Sequence, residues 1–174
     1  DQARLMAHDD IFGSSITTLI SNPDTIERSL RESHLVVGAV LVPGGRAPSL
    51  VSGEMFAQMK SGTVIVDVAV DQGGCCDTCR PTTHDQPVFT VDNVTHYCVA
   101  NMPGAVPRTA TFALTNVTIS YALKIANQGF DAAIAADPAL AKGINIYRSH
   151  VTHETVARDL DYDYKSLEQI ISGR

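Results

Sequence analysis

No run in this chain approaches the roughly 20 consecutive apolar residues that cross a bilayer as a helix, and the opening Asp1-Gln2-Ala3-Arg4-Leu5 lacks the charged-then-apolar pattern of a secretory signal. Neither a membrane span nor export is expected, and the reading points to the cytoplasm. Charge is also scarce. Only 18% of the 174 residues are charged, and the net charge of -6 is scattered rather than gathered in tails. Nothing in that pattern attracts a polyanion, so nucleic acid and anionic membrane surfaces are not expected partners. There is no Gly-x-Ser-x-Gly turn and no Cys-His signature, which leaves a hydrolase without support. The histidines, His8, His34, His84, His96, His150 and His153, fall in no triad or metal spacing. The first residue is not Met, which leads us to expect a processed, cut or incompletely represented chain.

Hydrophobic residues make up 44% of the chain, enough for a packed core in one domain of ordinary size, so small-molecule chemistry is the better expectation. Of four cysteines, three crowd together at Cys75, Cys76 and Cys79. A reducing compartment argues against a disulfide framework, and a single Cys-x-x-Cys lacks the second ligand pair of a structural zinc site, even counting His84 as a further donor. No metal is expected, and a turn that happens to be cysteine-rich is the simpler reading.

Strand-like and helix-like segments alternate, the pattern of a βαβ sheet with parallel strands. Ser15–Ile20 is rich in β-branched residues and reads as a strand. Ser21-Asn22-Pro23 then signals a helix start, predicting a helix over Asp24–Ser33 with Ile26 and Leu30 on its inner face. Leu35–Val42 is an apolar run without polar alternation, as in a strand covered on both faces. A loop over Pro43–Pro48, a helix from about Ser52 to Met59 and a strand over Thr63–Ala69 follow. Gly73–Pro87 is long for a loop, and Val88–Val91 and Thr95–Ala100 are short strands. The longest helix runs from about Val106 or Pro107 to Asn127, with Phe112, Val117, Tyr121, Leu123 and Ile125 on a broad apolar face and Gly129 as a left-handed cap. Asp137–Gly143 reads as a helical turn, Thr152 opens a helix through Leu160, and Leu167–Ile171 is a last amphipathic turn. No repeat or linker divides the chain.

The most informative stretch is Asp67-Val68-Ala69-Val70-Asp71-Gln72-Gly73-Gly74-Cys75, followed by Arg80-Pro81-Thr82-Thr83. It reads as a buried strand ending in a glycine-rich turn that presents one carboxylate, at the place where open α/β sheets bind ligands. Asp71 is either a turn cap or a carboxylate that hydrogen-bonds a ribose or orients a reacting group. Arg80 is either solvated surface or a donor to a phosphate or ribose oxygen. Asn101-Met102-Pro103-Gly104 lies between a strand and a long helix, at the same edge as Asp71. There an amide beside a thioether suits a flat ring, and packing is the plainer role.

Together with Tyr97-Cys98-Val99-Ala100-Asn101-Met102-Pro103-Gly104-Ala105-Val106-Pro107-Arg108-Thr109, these motifs resemble the alanine dehydrogenases. The resemblance runs from about Asp1 to the last helix and is strongest over Leu35–Pro48, Asp67–Thr83 and Tyr97–Asn116. It implies reversible NAD-dependent oxidative deamination of L-alanine to pyruvate and ammonia, in a protein that commonly forms homohexamers. It also implies an NAD site at Arg4, Ser21, Val40, Leu41, Val68, Ala69, Val70, Asp71, Arg80, Val99, Ala100, Asn101 and Met102, with Asp71 catalytic. The fold implied is α/β, a Rossmann-like doubly wound parallel sheet that is partial, its first βαβ unit missing, with C-terminal helices. Residues 1–128 would form the partial NAD-binding domain and 129–174 a C-terminal helical segment.

Three departures stand beside this resemblance. The Gly-x-Gly-x-x-Gly turn and its following acidic residue do not occur, and neither does the substrate domain, so the chain is expected to begin partway through the enzyme and to be inactive alone. The Cys75-Cys76-Asp77-Thr78-Cys79 cluster also carries more cysteine than this turn should. Two alternatives remain: the NAD-binding domain of a related transhydrogenase or saccharopine-type dehydrogenase, and a non-catalytic nucleotide- or thiol-sensing module.

Overall fold

A computed structural model describes residues 1–173, which form two compact units. One comprises Asp1–Leu41 and Ala47–Ala100, the other Val42–Arg46 and the chain from Asn101 onward. The boundary expected at residues 128 and 129 lies within the second unit.

In the first unit, helix α1 (Gln2–Phe12) starts at Asp1, whose carboxylate accepts the Ala3 and Arg4 N–H groups at 3.1 and 3.3 Å. Sequence reading missed this helix because it buries no residue and so has no apolar stripe. The strand expected at Ser15–Ile20 is not formed. Gly13–Ser15 is a 3-10 turn, and although Ile16 is extended, residues 16–22 have no ladder partner and Ile16, Leu19 and Ile20 remain exposed. β-branched residues favour extended backbone, but a strand needs a neighbour.

Helix α2 (Pro23–Glu32) is set by a reciprocal cap. The Asn22 side chain accepts the Thr25 N–H at 2.9 Å and the Thr25 hydroxyl accepts the Asn22 N–H at 3.1 Å, with Pro23 at the first helical position. Its Leu30 is buried and Ile26 packs on the core. Strand β1 (Leu35–Gly38) is shorter than the apolar run that contains it, because its ladder with β2 (Val64–Asp67) ends where Gly38 meets Asp67. A short helix α3 (Gly53–Phe56) lies in the crossover. Strands β3 (Val88–Val91) and β4 (Val94–Tyr97) form a hairpin whose two turn residues, Asp92 and Asn93, both have positive φ, as a two-residue turn matched to sheet twist requires.

The sheet order is β1-β2-β4-β3, with β1, β2 and β4 parallel and β3 antiparallel at one edge. With its flanking helices this is a Rossmann-like α/β fold dominated by parallel strands. The core collects Leu30, Val51, Phe56, Met59, Ile65 and Val94. His96 is fully buried, stacked between Phe56 and Phe89 at 5.1 and 4.8 Å.

The second unit begins with the loop at residues 42–46. Gly44 has φ +72° and passes so close to His153 that a Cβ there would lie 2.4 Å from the ring, while the Arg46 N–H donates to Asp159 at 3.0 Å. After a 3-10 turn at Met102–Ala105, helix α4 (Pro107–Gln128) runs for 22 residues and buries none of them. It stops at Gly129, whose φ of 79° is positive but whose ψ of 160° is extended, so the expected left-handed helical cap is replaced by a direct break into α5 (Phe130–Ala136). Then come α6 (Pro138–Lys142), a hairpin of β5 (Ile146–Tyr147) and β6 (His150–Val151), α7 (Glu154–Asp159) and α8 (Leu167–Ser172).

Candidate functional site

Three parallel strands of the first unit end side by side, and the residues singled out by sequence cluster where they end. Val40 and Leu41 follow β1, Val68 to Asp71 follow β2, and Val99 and Ala100 follow β4. The loop after Arg80 returns along the end of β4: Thr82 donates its N–H to Cys98 at 2.9 Å and accepts that of Ala100 at 3.1 Å. Arg80 lies with its guanidinium 4.4 Å from the centre of the Phe89 ring, stacked rather than loose in solvent. Ser21 precedes α2, and Arg4 is exposed on α1 beside Asp1. Asn101 and Met102 fall in the second unit, where Asn101 takes a left-handed conformation (φ 55°, ψ 54°) before the 3-10 turn.

Asp71 is exposed in a 3-10 turn at Val70–Gln72, with Gly73 at φ 101° closing it. The turn is positioned by a residue that sequence reading passed over. Asp67, the last residue of β2, is fully buried, and its carboxylate accepts the N–H of Ala69 at 2.9 Å, the N–H of Cys75 at 3.0 Å and the thiol of Cys75 at 3.3 Å. One buried carboxylate thereby ties both ends of the segment that carries Asp71. Gly74 and Gly38 make room: a Cβ on Gly74 would lie 3.0 Å from Asp67, and one on Gly38 would lie 2.1 Å from the Cys75 sulfur.

The four cysteines form a contiguous row. Cys75 and Cys76 have sulfurs 3.6 Å apart, and the thiols of Cys76, Cys79 and Cys98 follow as neighbours that influence one another in turn. Thiol–thiol hydrogen bonding, then burial and the nearby Asp67 charge, push Cys76, Cys79 and Cys98 upward, so the groups stay protonated and are poor nucleophiles as they stand. Cys98 directly follows β4, and only the pairing of β2 with β4 brings it near the others.

A groove of about 540 Å³ opens beside β1, lined by Ser21, Thr25, Ile26, Val36, Gly38, Val40 and Cys75 among others. Its apolar wall set with a few hydroxyls is the composition of a small-molecule or cofactor site, and its volume lies in the usual range. Ser21 and Val40 are the two sequence-named residues that line it. In the second unit a separate cavity of about 720 Å³ is lined by Asn101, Pro103, Pro107 and Leu114. Among the described residues no helix is long and apolar enough to cross a membrane.

Residues 1–154 match the family model described as alanine dehydrogenase/PNT, C-terminal domain. The chain is 56% identical over 169 residues to the alanine dehydrogenase of Bacillus subtilis (strain 168), covering 97% of this chain and 45% of that protein. It is 49% identical over the same length to alanine dehydrogenase 2 of Staphylococcus aureus (strain USA300), again covering 45% of it. The chain thus spans just under half the length of these relatives. Among solved structures, an L-alanine dehydrogenase superposes with a TM-score of 0.80 at 50% identity, over 92% of this chain and 44% of that one. A transhydrogenase from Sinorhizobium meliloti superposes with a TM-score of 0.61 at 22% identity, over 87% of this chain and 40% of that one, a likeness of fold alone. The cofactor of this domain family is NAD. The chain belongs to the alanine dehydrogenase/PNT C-terminal domain family.

Proposed function

We propose that this chain supplies most of the cofactor-binding domain of an alanine dehydrogenase, catalysing the reversible NAD-dependent oxidative deamination of L-alanine to pyruvate and ammonia. The observation that carries the reading is the convergence of the expected positions on the carboxyl ends of three adjacent parallel strands. Ser21, Val40, Leu41, Val68, Ala69, Val70, Val99 and Ala100 would bind NAD there, with Arg4 and Arg80 as candidate donors to its phosphate or ribose oxygens. By resemblance, Asn101 and Met102 would also contact NAD. When bound, NAD accepts hydride from the substrate α-carbon.

The chain's own contribution is positioning and electrostatics. Asp67 fixes the turn, and Asp71, exposed on it, holds or moves a proton at its carboxylate while substrate is oxidised. We extend the proposal to a cytoplasmic homo-oligomer, a hexamer by resemblance, and to a division of roles between residues 1–128 and 129–174.

Replacing Asp71 with Ala in the full-length protein should lower turnover by about 100-fold or more, the usual scale of lost acid–base catalysis. A rate near wild type would overturn its role. The related transhydrogenase reading keeps the fold. Ammonia-dependent NADH oxidation with pyruvate, set against hydride exchange between NADH and an NADP analogue, separates the two reactions.

A further inference from the structure

The row of thiols beside Asp67 has no part in the proposed hydride chemistry, and its geometry asks for something else. The Oδ1 atom of Asp67 and the sulfurs of Cys75 and Cys76 all lie within 4.8 Å of one another, and all three residues are buried. Asp67 to Cys75 is 3.3 Å and Cys75 to Cys76 is 3.6 Å. Around tetrahedral zinc, with metal–sulfur bonds of about 2.3 Å and metal–oxygen bonds of about 2.0 Å, the corresponding ligand–ligand edges are about 3.5 and 3.8 Å. Two edges of the triangle already stand near the spacing of such a polyhedron, and the third, Asp67 to Cys76, is within 4.8 Å.

Two further observations point the same way. The Asp67 carboxyl group is fully buried, and no Lys, Arg or His pairs with it among the described residues. Backbone N–H groups offset part of that cost, and a cation would offset the rest. A fourth donor is also at hand. Cys79 stands in Cys-x-x-Cys spacing from Cys76, donates its N–H to the Cys76 carbonyl at 3.1 Å, and is half-buried, with its Cβ and the Asp67 carboxylate both within 4 Å of where a Cβ on Gly74 would lie.

We propose that Asp67, Cys75, Cys76 and Cys79 form a structural site for a thiophilic divalent cation, zinc being the best fit. The ion closes the Asp67–Cys79 turn as a clip: it displaces the thiol protons to solvent and bonds three sulfurs and one carboxylate oxygen. Cys98, beyond Cys79 in the row, lies outside the ligand set. This site does not depend on the dehydrogenase reading: its ligands are the thiols and Asp67, of which Cys75 alone also lines the groove beside β1.

The test uses the full-length protein purified under reductant. Elemental analysis should give about one zinc per chain. After chelation, refilling with cobalt(II) should produce a thiolate-to-cobalt charge-transfer absorption in the near ultraviolet, with the visible spectrum of a tetrahedral ion. Cys76→Ser and Cys79→Ser should each weaken cobalt binding at least about tenfold, a loss on the scale seen when even supporting groups of metal sites are removed. Cys98→Ala should bind cobalt within about threefold of wild type. The wild-type spectrum decides the matter even if a variant fails to fold. Cobalt without a charge-transfer band, unchanged binding in Cys76→Ser, or a metal-free chain whose mass shows a Cys76–Cys79 disulfide would each overturn the site.

Discussion

Asp67 and Val117 each sit in the middle of a conspicuous stretch of sequence, yet one has no exposed surface and the other is 65% exposed. The turn after β2 is built inward. Its carboxylate meets three donors, its glycines admit backbone where a Cβ would collide, and its sulfurs pack against one another. Helix α4 is built outward. Phe112, Leu114, Val117, Ile119 and Leu123 are all exposed, and the hydroxyls of Thr115 and Thr118 bond to carbonyls one turn back, Thr111 and Phe112 for the first and Leu114 for the second. The turn draws its stability from within the first unit. The helix holds its shape through local hydrogen bonds and length, and an apolar surface of that extent is of the kind that serves contact faces. A substitution should therefore act on folding in the first region and on association in the second.

The sharpest break of that contrast is Asp67→Ala. It leaves the Ala69 and Cys75 N–H groups buried and unsatisfied, at about 1–3 kcal/mol for each, so unfolding free energy should fall by about 3 kcal/mol or more. Urea denaturation with chelator present reads this loss apart from any metal effect. Asp67→Asn, which keeps an acceptor, should cost less. A cost below about 1 kcal/mol for the alanine variant would mean the turn is held by something other than its buried carboxylate.

His96 tests the same inward region through pH. Its Nδ1 faces the Val94 carbonyl at 3.0 Å and its Nε2 faces the Thr78 hydroxyl at 2.8 Å, so the neutral ring donates to one and accepts from the other. Desolvation between two phenylalanines lowers its pKa from the ordinary 6.5. The unfolded chain therefore binds the proton more readily than the folded one. The stability this residue contributes is complete above 6.5 and is lost as pH falls through the lowered value. The urea midpoint of wild type should drop between about pH 7 and pH 5, with the drop shallower in His96→Asn, which keeps a donor for Val94 but cannot titrate in that range. Equal slopes would show that His96 does not carry the acid sensitivity of the core.

Much of this contrast was legible in the residues, and the illegible part has a physical cause. Asn22-Pro23 and Gly129 mark element ends by local chemistry, so α2 and the end of α4 follow from the sequence alone, whereas the pairing of β3 with β4 through Asp92-Asn93 was not read. The strand ends carrying Val40, Asp71 and Ala100 were legible through their apolar runs and the turns behind them. What failed was what depends on distant neighbours. Ser15–Ile20 has strand composition without a ladder partner, Leu35–Val42 outruns the ladder that defines β1, and α1 has no apolar stripe to announce it. Cys98 joins the thiol row only through strand pairing, and the importance of Asp67 over its neighbours emerges only once its burial is known.

The smallest expected effect on folding is at α4. Val and Asp have similar helix propensities, and surface changes away from special features stay within about ±0.5 kcal/mol, so Val117→Asp should leave helix content and denaturation midpoint nearly unchanged. If the apolar side of α4 is a contact face, the same charge should shift the full-length protein toward smaller species in analytical ultracentrifugation. Asn116→Asp adds an identical charge one residue away and should leave the distribution as it was. A Val117→Asp protein that assembles normally would remove α4 from the interface, whereas one that loses helix content would show that this side of the helix packs within its own fold, and the contrast with Asp67 would dissolve.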